Sequence, residues 1–140
     1  MRVVSNFSYL IIIYLVDITK EEFEQLVSEA LEEIPDYFKK HIENVEFLTM
    51  YYPTVSMLKN TGIYGRGTLL GLYVGIPLRK RGRGYQGVLP DRIYLFMYPI
   101  IQEANRLKVP LKEKIKKVLM HEIGHYFGLS EEELRELGIV

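Results

Sequence analysis

The segment Leu111–Phe127 carries two histidines four residues apart inside a pattern that predicts one long helix. Pro110 precedes it, which suits the first turn of a helix, and Gly128 follows it, which suits a left-handed stop. Residues i and i+4 of a helix project from the same face, about one turn apart. We therefore expect His121 and His125 to reach one common point beside this helix.

Glu122 completes the pattern His-Glu-x-x-His between His121 and His125. Two imidazoles at this spacing can bind one tetrahedral Zn²⁺. Glu122 lies one step round the helix, where its carboxylate reaches a metal-bound water without ligating the metal, so we expect it to act as a general base. The alternative is a pair of core histidines satisfied by hydrogen bonds alone, at the rim of the core.

A third ligand is expected from the residues that follow the helix. Ser130 and Glu133 form a capping box for a last helix, so Glu133 already has a structural task. Glu131, six residues past His125, is the predicted third ligand because it can fold back from the first turn of that helix. Alternatively, Glu131 and Glu132 only complement the helix dipole, and Glu132 is the next candidate ligand.

Composition excludes several classes of function. Eighteen basic residues balance eighteen acidic ones, so no whole-chain field favours nucleic acid or anionic lipid, and we expect neither as a partner. There is no cysteine, which leaves His, Asp and Glu as the strong metal ligands. We expect a cytoplasmic protein, with its 140 residues forming one domain and an oligomeric state that stays open.

The N-terminal residues 1–16 form an apolar extension. Its apolar run is too short to span a bilayer as a helix, and it lacks a clear cleavage site for a signal peptide. Ile, Val and Tyr dominate from Tyr9 to Val16, so we predict a buried strand. A signal-like segment or a mis-assigned start are the alternatives.

The rest of the chain predicts a mixed α/β (α+β) fold with a small sheet. Thr19 and Glu22 predict the start of an amphipathic helix that runs to Ile34 and ends at Pro35. His41 is expected to be a solvated cation rather than a ligand. The other predicted elements are a helix at 36–42, strands at 45–52, 69–76 and 91–98, loops at 53–67 and 77–90, and a helix at 101–108.

One loop concentrates positive charge, with Arg79, Lys80, Arg81 and Arg83 among glycines. The patch is short and has only Tyr85 nearby for stacking, so nucleic-acid binding is the weaker interpretation. We expect a solvated rim, or a patch that steers acidic peptide substrates toward the metal.

The stretch from His121 to Leu134, HEIGHYFGLSEEEL, resembles the signature of the small bacterial zincin-like metallopeptidases, the minimal zincins. Three upstream blocks also resemble that family: FEQLVSEALEEIP at 23–35, LLGLYVGIPL at 69–78 and LPDRIYL at 89–95. The resemblance implies a zincin-like domain in which a small twisted mixed sheet packs on the active-site helix. It also implies zinc peptidase activity on peptide or protein substrates.

The sequence departs from that family at two places. The family usually shows Asp where Glu131 stands, in the position that metzincins fill with a third histidine. The apolar segment before Asp17 looks like an extension. In addition, the chain ends too soon after Glu131 for a metzincin Met-turn, and Met120 is expected in the core.

Two functional hypotheses follow from these patterns. In the first, a zinc-dependent hydrolase cleaves peptide bonds, and the strand at 69–76 holds an extended peptide by edge pairing. Tyr51, Tyr73 and Tyr126 are candidates for stabilising the oxyanion, but we expect a core or surface role for each, and the sequence does not name the stabiliser. In the second, a metal-stabilised binding module without useful turnover presents the 79–83 loop to an acidic or nucleic-acid partner. An open metal site beside a groove favours the enzyme. A closed four-ligand site, or one covered by the N-terminal segment, favours the module.

Overall fold

The structure, a computed structural model, describes residues 18–63, 65, 67–85 and 89–138. The predicted N-terminal strand lies outside these residues. Within them, no helix is both long and apolar enough to cross a membrane. The elements are α1 (Lys20–Glu32), α2 (Asp36–Lys39), β1 (Val45–Met50), α3 (Val55–Asn60), β2 (Gly71–Val74), a 3₁₀ turn (Leu78–Lys80), β3 (Asp91–Phe96), α4 (Met97–Leu107), α5 (Leu111–Phe127) and α6 (Glu131–Glu136).

The three strands form one mixed sheet in the order β1-β3-β2. β3 lies in the centre and pairs in parallel with β1 and antiparallel with β2. Its Ile93 and Leu95 are completely buried on one face, and Tyr94 points to the other. These helices and this small sheet confirm the predicted α+β fold. In this sheet β2 is an edge strand.

The long helix α5 occupies the centre of the packing. It contacts α1, α4, β2 and β3, and its buried face carries Ile115, Leu119 and Ile123. These side chains belong to one core cluster with Phe23 of α1 and Ile93 of the sheet. Each such burial stabilises the fold by roughly 1.5–3 kcal/mol. The buried stripe of α5 therefore fixes the helix that presents the two histidines.

The predicted helix boundaries are confirmed at both ends of α5 and at the starts of α1 and α6. Gly128 adopts φ +96° and donates its amide to the His125 carbonyl at 2.9 Å, the left-handed stop expected of a glycine here. Thr19 caps α1, since its Oγ1 accepts from the Glu22 amide at 3.0 Å. Ser130 and the third residue of α6 form the predicted capping box.

The loop predicted at 53–67 contains a helix, so that prediction was wrong over its first half. Thr54 caps α3 because its side chain accepts from the Met57 amide at 3.1 Å. Glycines dominate only the second half of this segment, and they masked a six-residue helix. A single turn and a half carries too few apolar repeats for its periodicity to be visible.

The predicted strand at 91–98 and helix at 101–108 were misplaced at their junction. β3 ends at Phe96 and α4 begins at Met97. Pro99 is the third residue of α4, where the missing N–H is one that the first turn leaves unpaired in any case. The apolar run through this junction gives no sign of the change from strand to helix. The remaining differences are shorter ends at α1, α2, β1 and β2, and a 3₁₀ turn within the loop predicted at 77–90.

Candidate metal centre

Three side-chain donor atoms from α5 and α6 converge on one point. The Nε2 atoms of His121 and His125 are 3.2 Å apart, and Oε1 of Glu131 lies 3.0 Å from the first and 2.9 Å from the second. We call these three residues the donor triad. The sequence predicted all three as candidates, and the structure brings them together.

The turn between α5 and α6 explains why Glu131 reaches the histidines. A Cβ on Gly124 would lie 2.3 Å from Cδ2 of Leu134, a side chain that is completely buried. The glycine inside the motif therefore allows α6 to pack directly against α5. Gly128 reverses the chain, and Glu131 then lies at the first turn of α6, facing the two histidines.

The hydrogen bonds of His125 set the chemistry of the triad. Its Nδ1 lies 2.9 Å from the Leu129 carbonyl, which can only accept, so this nitrogen carries the proton. In the neutral ring Nε2 then presents a lone pair toward the carboxylate of Glu131. When the rings are protonated, burial acts to raise the pKa of Glu131, but hydrogen bonds from both histidines, together with their positive charge, hold it below its usual value. The lone pair on Nε2 of a neutral His125 and the Glu131 carboxylate are both acceptors, 2.9 Å apart, so a proton or a cation must lie between them.

The donor set fits Zn²⁺. In a tetrahedral site with metal–ligand distances of about 2.0 Å, two ligand atoms are about 3.3 Å apart, close to the spacings within the triad. A histidine that ligates zinc is usually oriented by a hydrogen bond from its other ring nitrogen. The bond from Nδ1 of His125 to the Leu129 carbonyl is a contact of this type. Among the described residues no fourth His, Asp or Glu joins the group. Three protein ligands would leave the fourth corner open.

Glu122 lies beside the triad and is almost completely buried, with 6% of its surface exposed. Its Oε2 accepts a hydrogen bond of 2.8 Å from the Tyr73 amide on β2. Burial raises the pKa of Glu122 to about 7, although His125 and the Tyr73 amide act to lower it. A carboxyl with this pKa exchanges a proton readily near neutral pH, as general acid–base chemistry requires.

A groove of about 1130 Å³ runs between the edge strand and the long helix, and the donor triad and Glu122 lie in its wall. β2 uses one side for pairing with β3, and the Phe96 amide extends this pairing to the Leu70 carbonyl at 2.9 Å. The Tyr73 amide points the other way, toward Glu122. The outer edge of β2 therefore faces the groove.

The family model for zincin-like metallopeptidases matches residues 42–139. This range contains the whole sheet, α5, the donor triad and Glu122. The chain belongs to the zincin-like metallopeptidase family. The match includes the blocks at 69–78 and 89–95 that carried the resemblance, whereas the block at 23–35 lies outside it. No curated protein sequence matches the chain.

The three tyrosines considered as candidate oxyanion stabilisers have other partners in this zincin-like metallopeptidase. The Tyr73 hydroxyl donates to Oδ2 of Asp91 at 2.7 Å, and the Tyr126 hydroxyl donates to the Glu43 carbonyl at 3.2 Å. Tyr51 stacks on another tyrosine and does not line the groove. None of the three hydroxyls is hydrogen-bonded to the triad.

Two of the four cations in the basic loop, which was predicted as a solvated rim or a patch that steers acidic substrates, form ion pairs. Arg81 forms an ion pair of 2.5 Å with Asp91 and donates to the Ile76 carbonyl at 2.7 Å. Its side chain is 17% exposed and that of Asp91 only 4%. Arg79 contacts Glu133 of α6 at 3.2 Å. The prediction of a solvated rim was therefore wrong for Arg81, which is a half-buried cation paired with the buried Asp91.

Sequence reasoning missed the network that joins Arg81, Asp91 and Tyr73. These residues come from a loop, the start of β3 and the edge strand, so no local spacing connects them. One sequence signal was present, since Gly75 lies inside the strand predicted at 69–76, where a glycine often marks a close approach of another segment. In the structure, a Cβ on Gly75 would lie 2.4 Å from Cγ of Asp91. His41, the third histidine, is exposed and packs edge-on against Tyr37, outside the triad.

Proposed function

We propose that the protein is a zinc-dependent peptidase in which His121, His125 and Glu131 hold the metal. One observation carries this proposal: three donor atoms lie within 3.2 Å of one another, with an open side toward a groove and a carboxyl of raised pKa next to them. A structural zinc site would be closed by four protein ligands. This arrangement matches the open type used in catalysis.

When bound at the triad, Zn²⁺ would supply Lewis acidity that activates a water and polarises the peptide carbonyl. Glu122 would take the proton from that water, because it lies beside both histidines without belonging to the ligand group. It would then pass the proton to the leaving amine. The Tyr73 amide holds Oε2 of Glu122, so the other oxygen is the one that exchanges protons.

The edge strand β2 would bind the peptide. Its outer edge faces the groove, and an extended peptide can add to such an edge through main-chain hydrogen bonds. This places the peptide backbone parallel to the wall that carries Glu122 and the triad. Main-chain pairing is independent of side chains, so it holds the substrate while neighbouring side chains set specificity.

The binding-module alternative receives less support. It relied on a closed metal site, on a site covered by the N-terminal segment, or on a basic loop that is presented to a partner. The N-terminal segment lies outside the described residues. Within the described residues the triad is open, and Arg79 and Arg81 of the loop are engaged in ion pairs. Both observations favour the enzyme.

The test is metal analysis of the purified protein combined with cleavage of a peptide library. We expect the wild-type protein to bind one zinc ion and to cleave peptides of the library. Glu122→Gln should retain zinc, but its turnover should fall by about 10²–10⁴-fold, the usual contribution of general acid–base catalysis. Glu132→Gln is the matched control, since Glu132 is exposed on α6 and lies outside the groove lining. If Glu122→Gln cleaved peptides at the wild-type rate, the proposal would be contradicted.

A further inference from the structure

The four lysines of α5 divide into two pairs with different surroundings. Lys112 and Lys116 contact the two carboxylate oxygens of Glu33 on α1, at 2.8 and 3.3 Å. Lys114 and Lys117 lie on the other side of the helix and line the groove. Neither of these two forms an ion pair with any described residue. Their spacing along the helix places Lys112 and Lys116 on the side that faces Glu33, and Lys114 and Lys117 on the side that faces the groove.

The groove-facing lysines precede the donor triad by one and two helical turns. At a rise of about 1.5 Å per residue, Lys117 and Lys114 lie about 6 and 10 Å before His121 along the helix axis. An extended peptide advances about 3.3 Å per residue. A group two or three residues from the bond held at the triad would therefore lie beside these two ammonium groups.

The other charges of the groove leave this end positive. Apart from Glu122 and the triad, the charged lining residues are three lysines and one carboxylate, Glu103. Glu103 is already engaged, because Arg106 donates to both of its oxygens at 3.0 and 2.5 Å. Lys80, the third lysine, follows the edge strand in the 3₁₀ turn. The charge of Lys114 also lowers the pKa of Glu103, so this carboxylate attracts Lys114 as well as Arg106. Among the described lining residues at this end, three lysines against one carboxylate still leave an excess of positive charge.

We propose that Lys114 and Lys117 form a carboxylate-binding subsite, which selects peptides that carry a carboxylate two or three residues from the cleaved bond. This inference rests on the proposed peptidase function and adds a substrate class to it. The carboxylate belongs either to an Asp or Glu side chain or to the end of the peptide chain. Flexible ammonium groups accept both, because they act as point charges without a fixed bidentate geometry.

The test measures binding separately from hydrolysis. Zinc-loaded Glu122→Gln protein is titrated into fluorescent peptides with both ends blocked, in which one Glu is moved through an otherwise neutral sequence. At low salt we expect the best-placed Glu to tighten binding by about fivefold to tenfold over Gln at the same position, as two partly exposed ion pairs allow. Adding Lys114→Gln and Lys117→Gln together should remove this preference. A parallel series with free carboxyl ends distinguishes the terminal carboxylate from the side chain.

The matched control adds Lys112→Gln and Lys116→Gln, which removes the same charge from the same helix on the side facing Glu33. This control should keep the preference for Glu. Equal affinity for Glu and Gln peptides in both series, or a preference that survives Lys114→Gln/Lys117→Gln, would overturn the subsite. Wild-type cleavage of the same peptides tests the proposed function separately. Cleavage without a charge preference contradicts only the subsite, and a charge preference without cleavage contradicts only the hydrolase.

Discussion

The amide of Tyr73 donates a hydrogen bond of 2.8 Å to Oε2 of Glu122, and this bond joins the edge strand β2 to the long helix α5. Gly71 makes this contact possible. A Cβ at that position would lie 2.8 Å from Cγ1 of Val118 and 3.1 Å from Cγ of Glu122. The strand proposed to hold the peptide and the carboxylate proposed as general base are therefore fixed relative to each other by one short contact.

Gly71→Ala should reduce turnover while leaving the metal in place. The added methyl group pushes β2 away from α5, which lengthens the bond from Tyr73 to Glu122 and displaces the substrate strand. We expect kcat/KM to fall by about tenfold or more, or about 1.4 kcal/mol, with unchanged zinc content. Gly82→Ala is the control, because a Cβ there meets open space. If the two variants were equally active, the contact between β2 and Glu122 would not be needed for turnover.

The raised pKa of Glu122 predicts how the stability of the metal-free protein depends on pH. Its folded-state pKa of about 7 exceeds the ordinary value of 4.5. The stability it contributes is therefore full below pH 4.5 and is lost as pH rises through about 7. Gln has no proton to lose, so Glu122→Gln should gain stability over wild type in this window.

Urea unfolding of both metal-free proteins at about pH 5 and about pH 8 measures this difference. The other titrating groups are common to both proteins and cancel in the comparison. A stability difference that is the same at both pH values would contradict the raised pKa.

Gly124→Ala should weaken zinc binding although Gly124 is not a ligand. The new Cβ would lie 2.3 Å from Cδ2 of the buried Leu134, so α6 must move and carry Glu131 away from the histidines. We expect a loss of about 10–100-fold in zinc affinity, as for other supporting positions of metal sites. Adding Leu134→Ala makes room and should restore part of the affinity. No rescue would show that α6 does not position Glu131 in this way.

The sequence predicted the parts of this site that depend on local periodicity. The spacing of His121 and His125 on one helix, the stop at Gly128 and the cap at Ser130 all follow from residues within one or two turns of each other. Together these local signals are enough to predict that Glu131 lies near the histidines. The strand β3 was predictable for the same reason, because its burial alternates up to Leu95. The small mixed sheet was instead an expectation from the family resemblance.

Contacts between distant segments were not predictable in this way. The bond from Tyr73 to Glu122 spans 49 positions, and nothing local to either residue indicates it. The buried pair of Arg81 and Asp91 was misread because a cation among glycines ordinarily lies in solvent. Helix α3 was missed since six residues are too few for a visible repeat.

Arg81 and Arg83 should behave differently although both belong to the basic loop. Arg81→Ala removes the partner of the buried Asp91 and should destabilise the fold by about 3–5 kcal/mol. Arg83→Ala is the matched control at an exposed position and should change stability by less than about 0.5 kcal/mol. Thermal and urea unfolding of the two variants provide the measurement. Similar stabilities would contradict the structural role of Arg81.

The zinc dissociation constant of ligand variants tests the central claim most directly. In a titration against a chromophoric chelator, His121→Ala, His125→Ala and Glu131→Gln should each lose zinc affinity by about a hundredfold or more. This loss exceeds the effect of removing a residue that only hydrogen-bonds to a ligand. Glu131→Asp should retain zinc, and Glu132→Gln should match wild type. If Glu131→Gln binds zinc as tightly as wild type, Glu131 is not a ligand. If both histidine variants also retain full affinity, the metal site is not at the donor triad.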